Sequence, residues 1–164
     1  MQCMRWFLFL MMLSLLCVSA FASSQNRKPN VTLRLFSEAD ARDTQKFARP
    51  VTLQHPPRST FLSKIPHISE FDVVAVHPYR APNGSMGCSF KLNAHGTLAL
   101  DTMSVQERGK AAVVYVNGRQ VIDLLIDRRI TDGILAIPFG LTESEIRAIL
   151  KEWPPKTKRF STRS

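Results

Sequence analysis

Lys110 to Trp153, KAAVVYVNGRQVIDLLIDRRITDGILAIPFGLTESEIRAILKEW, carries a folding signal at every junction. Ala111–Val116 is a short apolar run rich in β-branched residues. Asn117-Gly118 follows, a pair that tolerates positive φ at both positions and so closes a two-residue hairpin. Gln120–Ile126 runs back as the second strand. Asp127-Arg128-Arg129-Ile130-Thr131-Asp132-Gly133 is a polar connection, with Asp132-Gly133 marking a turn. Ile134–Phe139 is a third strand, and Pro138 places it at an edge or a strand end. The helix after it has Thr142 as N-cap and Glu145 three residues on, a capping box, with Leu141 poised to pack on Ile146. Ile146, Ile149, Leu150 and Trp153 form one apolar stripe, and Pro154-Pro155 ends it.

Working outward, the other segments are shorter. Val31, Leu33 and Leu35 alternate on one face of a first strand. Glu38–Lys46 is a charged connection, either loop or short helix. Pro50–Leu53 and Thr60–Leu62 read as a hairpin about a proline-rich turn, Gln54–Ser59. Ser69 caps one helical turn through Glu70-Phe71-Asp72. Val73–Val76 is the next strand, Arg80–Gly87 a loop, and Cys88–Leu92 a strand. Asn93 caps a helix from about Ala94 to Val105, with Ala99, Leu100 and Met103 inward, and Gly109 fits its end. About eight short strands and two helices, without a βαβα rhythm, specify an α+β fold: a mainly antiparallel sheet with two helices packed on one face.

Residues 1–22 read as a signal peptide. Arg5 supplies the positive charge, Trp6–Val18 the apolar core, and Ala20-Phe21-Ala22 the small residues before a cut at Ser23. The alternative is a retained anchor, although the run is short of the roughly 20 residues that a span needs. Leu16 weakens a lipoprotein reading of Cys17. Cleavage takes 22 of the 164 residues, leaving 142, and lowers the net charge from +9 to about +8. Residues 23–30 are expected to be a disordered leader, 31–153 a single domain, and 154–164 a basic disordered tail. The expected location is secreted or periplasmic, with no transmembrane span after cleavage. Of the three cysteines only Cys88 then remains, so no intramolecular disulfide is available. Cys88 reads as a small buried hydrophobe; a nucleophile or an intermolecular disulfide is the alternative.

Ser89–Leu150, taken as one unit, resembles the head subdomain of the large periplasmic domain of SecD and SecF, membrane components that assist the bacterial Sec translocase. Phe90-Lys91-Leu92 and Gly96 match the pattern F-x-L-x-x-x-G, and Gly109-Lys110 matches G-K. Val116-Asn117-Gly118 stands where the family has V/L-D-G, Ile130–Gly133 where it has I-x-x-G, and Gly140–Glu143 opens the last helix. The upstream Ile65–Val73 is similar to the segment before that unit, so the resemblance covers about residues 65–152. Ser104 replaces a family threonine, and Leu124-Leu125-Ile126 stands where a proline often follows the hairpin. The resemblance implies a stand-alone secreted copy of a binding-type head domain, without the transmembrane helices of a translocase.

Catalytic and metal chemistry finds little support. His55, His67, His77 and His95 have no zinc-site spacing. No G-x-S-x-G, P-loop or G-x-G-x-x-G occurs, and Ser85 reads as a turn residue. Asp101, Asp123, Asp127 and Asp132 offer carboxylates for an acid/base pair, but turn and surface roles explain them more simply. No cofactor is implied. A basic surface, with Arg119, Arg128 and Arg129 near the hairpin and its loop and Arg27, Lys28, Lys156, Lys158, Arg159 and Arg163 near the ends, attracts anionic partners. The aromatics are not interleaved with these charges as a nucleic-acid platform requires. Asn30-Val31-Thr32 and Asn83-Gly84-Ser85 match the N-glycosylation pattern and are expected to be bare in a bacterium.

The sequence therefore favours a non-catalytic interaction module that binds an envelope protein or an extended peptide, with Tyr79, Arg119, Asp127, Arg128 and Arg129 as candidate binding residues. A small secreted enzyme using a carboxylate or Cys88, and a basic protein binding anionic envelope polymers, are the alternatives.

Overall fold

The computed structural model describes residues 29–40 and 46–155. The signal peptide and residues 23–28 of the leader lie outside the described residues, as do residues 156–164 of the tail. Among the described residues, nine strands and two α-helices follow in order: β1 (Leu33–Ser37), β2 (Ala48–Gln54), β3 (Pro57–Ser63), β4 (Ile68–Ser69), β5 (Val73–Arg80), β6 (Met86–Leu92), α1 (Ala94–Gln106), β7 (Ala111–Val116), β8 (Arg119–Leu125), β9 (Ile134–Leu141) and α2 (Glu143–Glu152). A 3-10 turn, Glu70–Asp72, leads into β5. The fold is α+β, and every strand pairing within the sheets is antiparallel.

Three sheets form. One has the order β4-β1-β7-β8, another β5-β6-β9, and β2-β3 is a separate hairpin. The Asn-Gly turn is as the local chemistry requires. Asn117 has φ 50° and Gly118 φ 78°, the left-handed geometry that matches the twist of the strands it joins. Thr142 Oγ1 accepts the Glu145 N–H at 3.2 Å while the Glu145 carboxylate accepts the Thr142 N–H at 2.8 Å, so the capping box is complete. Asn93 caps α1 through the Gly96 N–H at 2.8 Å. Each of these devices satisfies N–H groups that the first helical turn leaves without a partner.

The main core lies between the two larger sheets and the two helices. Val31, Leu33 and Leu35 meet Val114 and Val116 there, with Phe90 and Leu92 of β6, Leu100 and Met103 of α1, Ile137 and Leu141 of β9, and Ile146 and Ile149 of α2. Phe90 is fully buried, and the Trp153 ring stands edge-on to it at 6.4 Å. The last helix thus closes the core with the stripe read from its spacing.

The four-stranded sheet is covered on its other side by the β2–β3 hairpin. Strand alternation sends Phe36, Ala111 and Val113 to that side, where they join Leu53 and Leu62 in a second, smaller core. The Arg49 guanidinium lies 4.4 Å from the centre of the Phe36 ring and 4.7 Å from that of Tyr115. Its Nε and Nη2 are buried without a hydrogen-bond partner, so the ring faces are the compensation they have.

Some boundaries differ from the sequence reading. The hairpin turn is only His55-Pro56, because Gln54 pairs with Pro57 and both strands run further than their β-branched residues suggest. Strand β5 continues through Pro78 to Arg80, and β6 begins at Met86, so the loop between them is shorter than Arg80–Gly87. An edge strand tolerates a proline whose missing N–H faces away from the ladder, which is why Pro78 does not end β5. Strand β4 is too short to announce itself; its two residues pair with Arg34 and Leu35.

Candidate functional site

The five candidate binding residues do not converge on one site. Arg119, at the start of β8, makes a two-pronged ion pair with Glu145, at 3.0 and 2.6 Å, and also donates to the Gly140 carbonyl at 3.0 Å. It therefore fastens the β7–β8 hairpin to the first turn of α2. Burial alone would push the Glu145 carboxyl up; the hydrogen bonds from Arg119 and Thr142 outweigh it and hold the group below the ordinary glutamate range.

Arg129 is engaged in the same way. Its guanidinium donates to both oxygens of Asp101 on α1, at 2.5 and 2.8 Å. Arg129 holds the Asp101 carboxyl below the usual aspartate range. Asp101 is thus an anchor for the β8–β9 connection. That connection is held at further points. The Ile130 N–H donates to Ser104 Oγ at 2.9 Å, Lys91 Nζ reaches the Asp132 carbonyl at 2.7 Å, and Asp132 Oδ1 accepts the Ile134 N–H at 2.9 Å. Asp127 and Arg128 are exposed in this loop.

Tyr79 is half-buried on β5. Its hydroxyl donates to the Ile137 carbonyl at 3.3 Å, across β6. Its ring covers Gly87, where an added Cβ would stand 2.6 Å from the ring and 2.6 Å from the Pro138 carbonyl oxygen. Tyr79 therefore braces the three-stranded sheet. Beside it lies the feature that this arrangement leaves open. Strand β5 has eight residues, pairs with β6 on one side, and has no strand on its other side among the described residues. Val74 on this strand is 48% exposed.

The remaining candidates for acid, base and nucleophile also have structural work. Asp123 is buried on the hairpin side of β8, and its carboxylate accepts the Gln54 and His55 N–H groups at 3.0 and 2.8 Å. It pins the tip of the β2–β3 hairpin to the sheet. Cys88 is fully buried; burial pushes its thiol up to about 11, against the opposing hydrogen bond from the His77 N–H. A thiol held there is a poor nucleophile at neutral pH.

Two histidine pairs were not visible in the sequence. Ser37 Oγ and His67 Nε2 are 2.9 Å apart, and Glu107 acts on the same imidazole by charge. Burial nevertheless keeps His67 below the ordinary imidazole range. The residue types are those of a serine nucleophile and its base, but Ser37 is only 3% exposed, so a substrate has no approach to the hydroxyl. The pair ties β1 to the segment entering β4, together with the His67 N–H bond to the Leu35 carbonyl at 2.9 Å. His95 Nδ1 lies 2.7 Å from Asp72, whose other oxygen accepts the Ser69 N–H at 2.9 Å. This joins the 3-10 turn to the start of α1. Neither pair has a local sequence signal, since the partners stand 30 and 23 residues apart. No group of three His, Cys, Asp or Glu side chains among the described residues is placed to hold a metal ion. No helix among them is long and apolar enough to cross a membrane.

No protein-family profile and no curated protein sequence matches the chain. Solved structures do. A structure of SecDF, described as a membrane component that enhances protein export, aligns with 75% of this chain at 14% identity and a TM-score of 0.52, covering 63% of its own length. SecDF in a super-membrane-facing form aligns with 75% of this chain at 15% identity and a TM-score of 0.54, covering 19% of its own length. The chain spans less than two thirds of either protein. These likenesses establish a SecD-like fold.

Proposed function

We propose that this SecD-like domain is a secreted or periplasmic, non-catalytic interaction module that binds an extended segment of another polypeptide along the open edge of β5. The observation that carries the reading is that edge, an eight-residue strand with no strand paired on its outer side among the described residues. An extended chain adds to such an edge through main-chain hydrogen bonds, and exposed side chains such as Val74 sort its sequence. Pro78 lacks an N–H, so the usable edge is the first part of the strand, Val73–His77. The fold likeness to a component that enhances protein export supports an unfolded or extended polypeptide as the partner class. The buried Ser37 hydroxyl and the raised Cys88 thiol support the non-catalytic part.

The test is a titration of the isotope-labelled chain with a permanently unfolded polypeptide, reduced and carboxamidomethylated α-lactalbumin, followed by amide chemical shifts and hydrogen exchange. Binding along β5 shifts the Val73–His77 amides, slows their exchange and persists at high salt. Shifts that fall elsewhere, or none at saturating polypeptide, would refute the reading.

A further inference from the structure

The described chain holds two Asn-Gly pairs, Asn83-Gly84 and Asn117-Gly118, and the fold treats them differently. In such a pair the glycine nitrogen can attack the carboxamide carbon of the asparagine, because glycine puts no side chain in its path. At Asn83 that nitrogen is engaged: the Gly84 N–H donates to the Ala81 carbonyl at 2.9 Å and closes the turn. The Asn83 side-chain oxygen accepts the Ser85 N–H at 3.0 Å and the Ser85 hydroxyl at 2.7 Å, so its carbonyl is polarised but faces a nucleophile already spent. At Asn117 the Gly118 N–H has no partner among the described residues. Both residues are exposed, and an added Cβ at Gly118 would meet no described atom within 4 Å. The Asn117 side-chain oxygen accepts the Thr32 N–H at 3.1 Å, while the Asn117 N–H donates to the Thr32 carbonyl at 2.9 Å. The backbone is also part of the way to a reacting geometry. Positive φ at both residues, 50° and 78°, makes this a type I′ turn. A type II′ turn keeps positive φ at the first residue with ψ of about −120° there, so a flip of the Asn117-Gly118 peptide separates the two. That ψ brings the Gly118 nitrogen to the side of the Asn117 Cβ, where a five-membered ring can close.

We infer that Asn117 is a site of spontaneous main-chain modification in the folded protein. The Gly118 nitrogen gives its proton to hydroxide and bonds to Cγ of Asn117. The Cγ–Nδ2 bond breaks, and Nδ2 leaves as ammonia with a proton from water. The Thr32 N–H stands at the distance of an oxyanion donor from Oδ1, where negative charge gathers as the new bond forms. Water then opens the cyclic imide. Addition at Cγ gives aspartate, and addition at the main-chain carbonyl carbon gives isoaspartate, whose chain runs through Cβ and Cγ. Water is the co-reactant, and nothing is oxidised or reduced. Either product sets a carboxylate in place of the carboxamide. Isoaspartate also lengthens the two-residue turn by one backbone atom, which loosens the β7–β8 hairpin where Thr32 ties it to the start of β1.

The experiment is peptide mass mapping of the full chain held at pH 8.5, native and in urea, with enzymatic methylation of isoaspartyl carboxyls to identify that product. In the native chain Asn117 converts about tenfold faster than Asn83, the factor that one backbone hydrogen bond on the Gly84 nitrogen is worth at most. In urea, where neither turn persists, the two convert at similar rates. Thr32→Pro deletes the donor to Oδ1 and slows Asn117 about tenfold or more; circular dichroism checks that this variant keeps the parent's melt. Should it fail to fold, the comparison of the native and urea-treated parent still decides. Native Asn83 converting as fast as Asn117, or Asn117 converting in urea but not in the native chain, would overturn the inference. So would faster conversion in Thr32→Pro, since the Thr32 contact would then be protecting the carboxamide.

Discussion

Glu38 offers a test of how the hairpin is held to the rest of the domain. Its carboxylate accepts hydrogen bonds from Arg58 at 2.6 and 2.6 Å, from Thr60 at 2.6 Å and from the Ala111 N–H at 3.1 Å. It therefore joins β3 to β1 and β7. The Arg58 guanidinium, with Thr60 and the Ala111 N–H, outweighs burial and holds the carboxyl at about 2, against 4.5 for an unrestrained glutamate. Each tenfold change in proton affinity corresponds to about 1.36 kcal/mol, so the full difference sets a ceiling of about 3 kcal/mol. Arg58 is 44% exposed, and solvent screening reduces the expected value to about 2 kcal/mol. The folded pKa is depressed. The contribution is therefore complete above about pH 5 and disappears as pH falls from the unfolded value toward the folded one. Urea unfolding of the parent and Glu38→Gln, compared at steps from pH 6 to pH 2.5, should show the variant about 2 kcal/mol less stable at pH 6. The gap should close steadily below pH 4.5. A gap that stays constant to pH 2.5, or no gap at pH 6, would refute the assignment of Glu38 as the ionic clamp.

Three further outcomes follow from particular contacts. Asp123→Ala removes both acceptors at the hairpin tip and should cost about 2–3 kcal/mol, with faster hydrogen exchange confined mostly to the Gln54 and His55 amides; unchanged exchange there would show that the carboxylate holds nothing. Gly87→Ala drives a methyl into the Tyr79 ring and the Pro138 carbonyl, so a loss of about 1–3 kcal/mol in urea unfolding is expected, and relief by the further change Tyr79→Ala would locate the clash at the ring. Cys88 in the native protein should react with a disulfide reagent at pH 8 far more slowly than in urea; equal rates would contradict its burial and its raised thiol.

Much of the architecture was legible because its signals are local. The Asn117-Gly118 hairpin, the Thr142–Glu145 capping box and the Asn93 cap each depend on groups no more than three residues apart. The apolar stripe of α2 and the alternation of Val31, Leu33 and Leu35 depend on period alone, and both reach the core as read. The SecD-like pattern of glycines and caps extended this to a fold, since those residues stand where the backbone must turn or end a helix. Boundaries failed where propensity was a poor guide. Pro78 stays within β5, and Pro57 lies within the hairpin pairing, because an edge position excuses a missing N–H.

The site was much less legible. Arg119 and Arg129 looked like surface charge in sequence. In the fold their partners are Glu145 and Asp101, 26 and 28 residues away. Asp123 looked like an available acid and is a buried cap on a turn 68 residues upstream. The chain by itself determined its helices, its tight turns and which face of most strands is apolar, since each is settled by residues within a few positions of one another. Only the tertiary structure decided that β1 lies between β4 and β7, that the β2–β3 hairpin covers the opposite side of that sheet, and which charges are spent holding the domain together. Those outcomes depend on which distant surfaces bury one another, and a charge is free or engaged according to what that burial brings beside it.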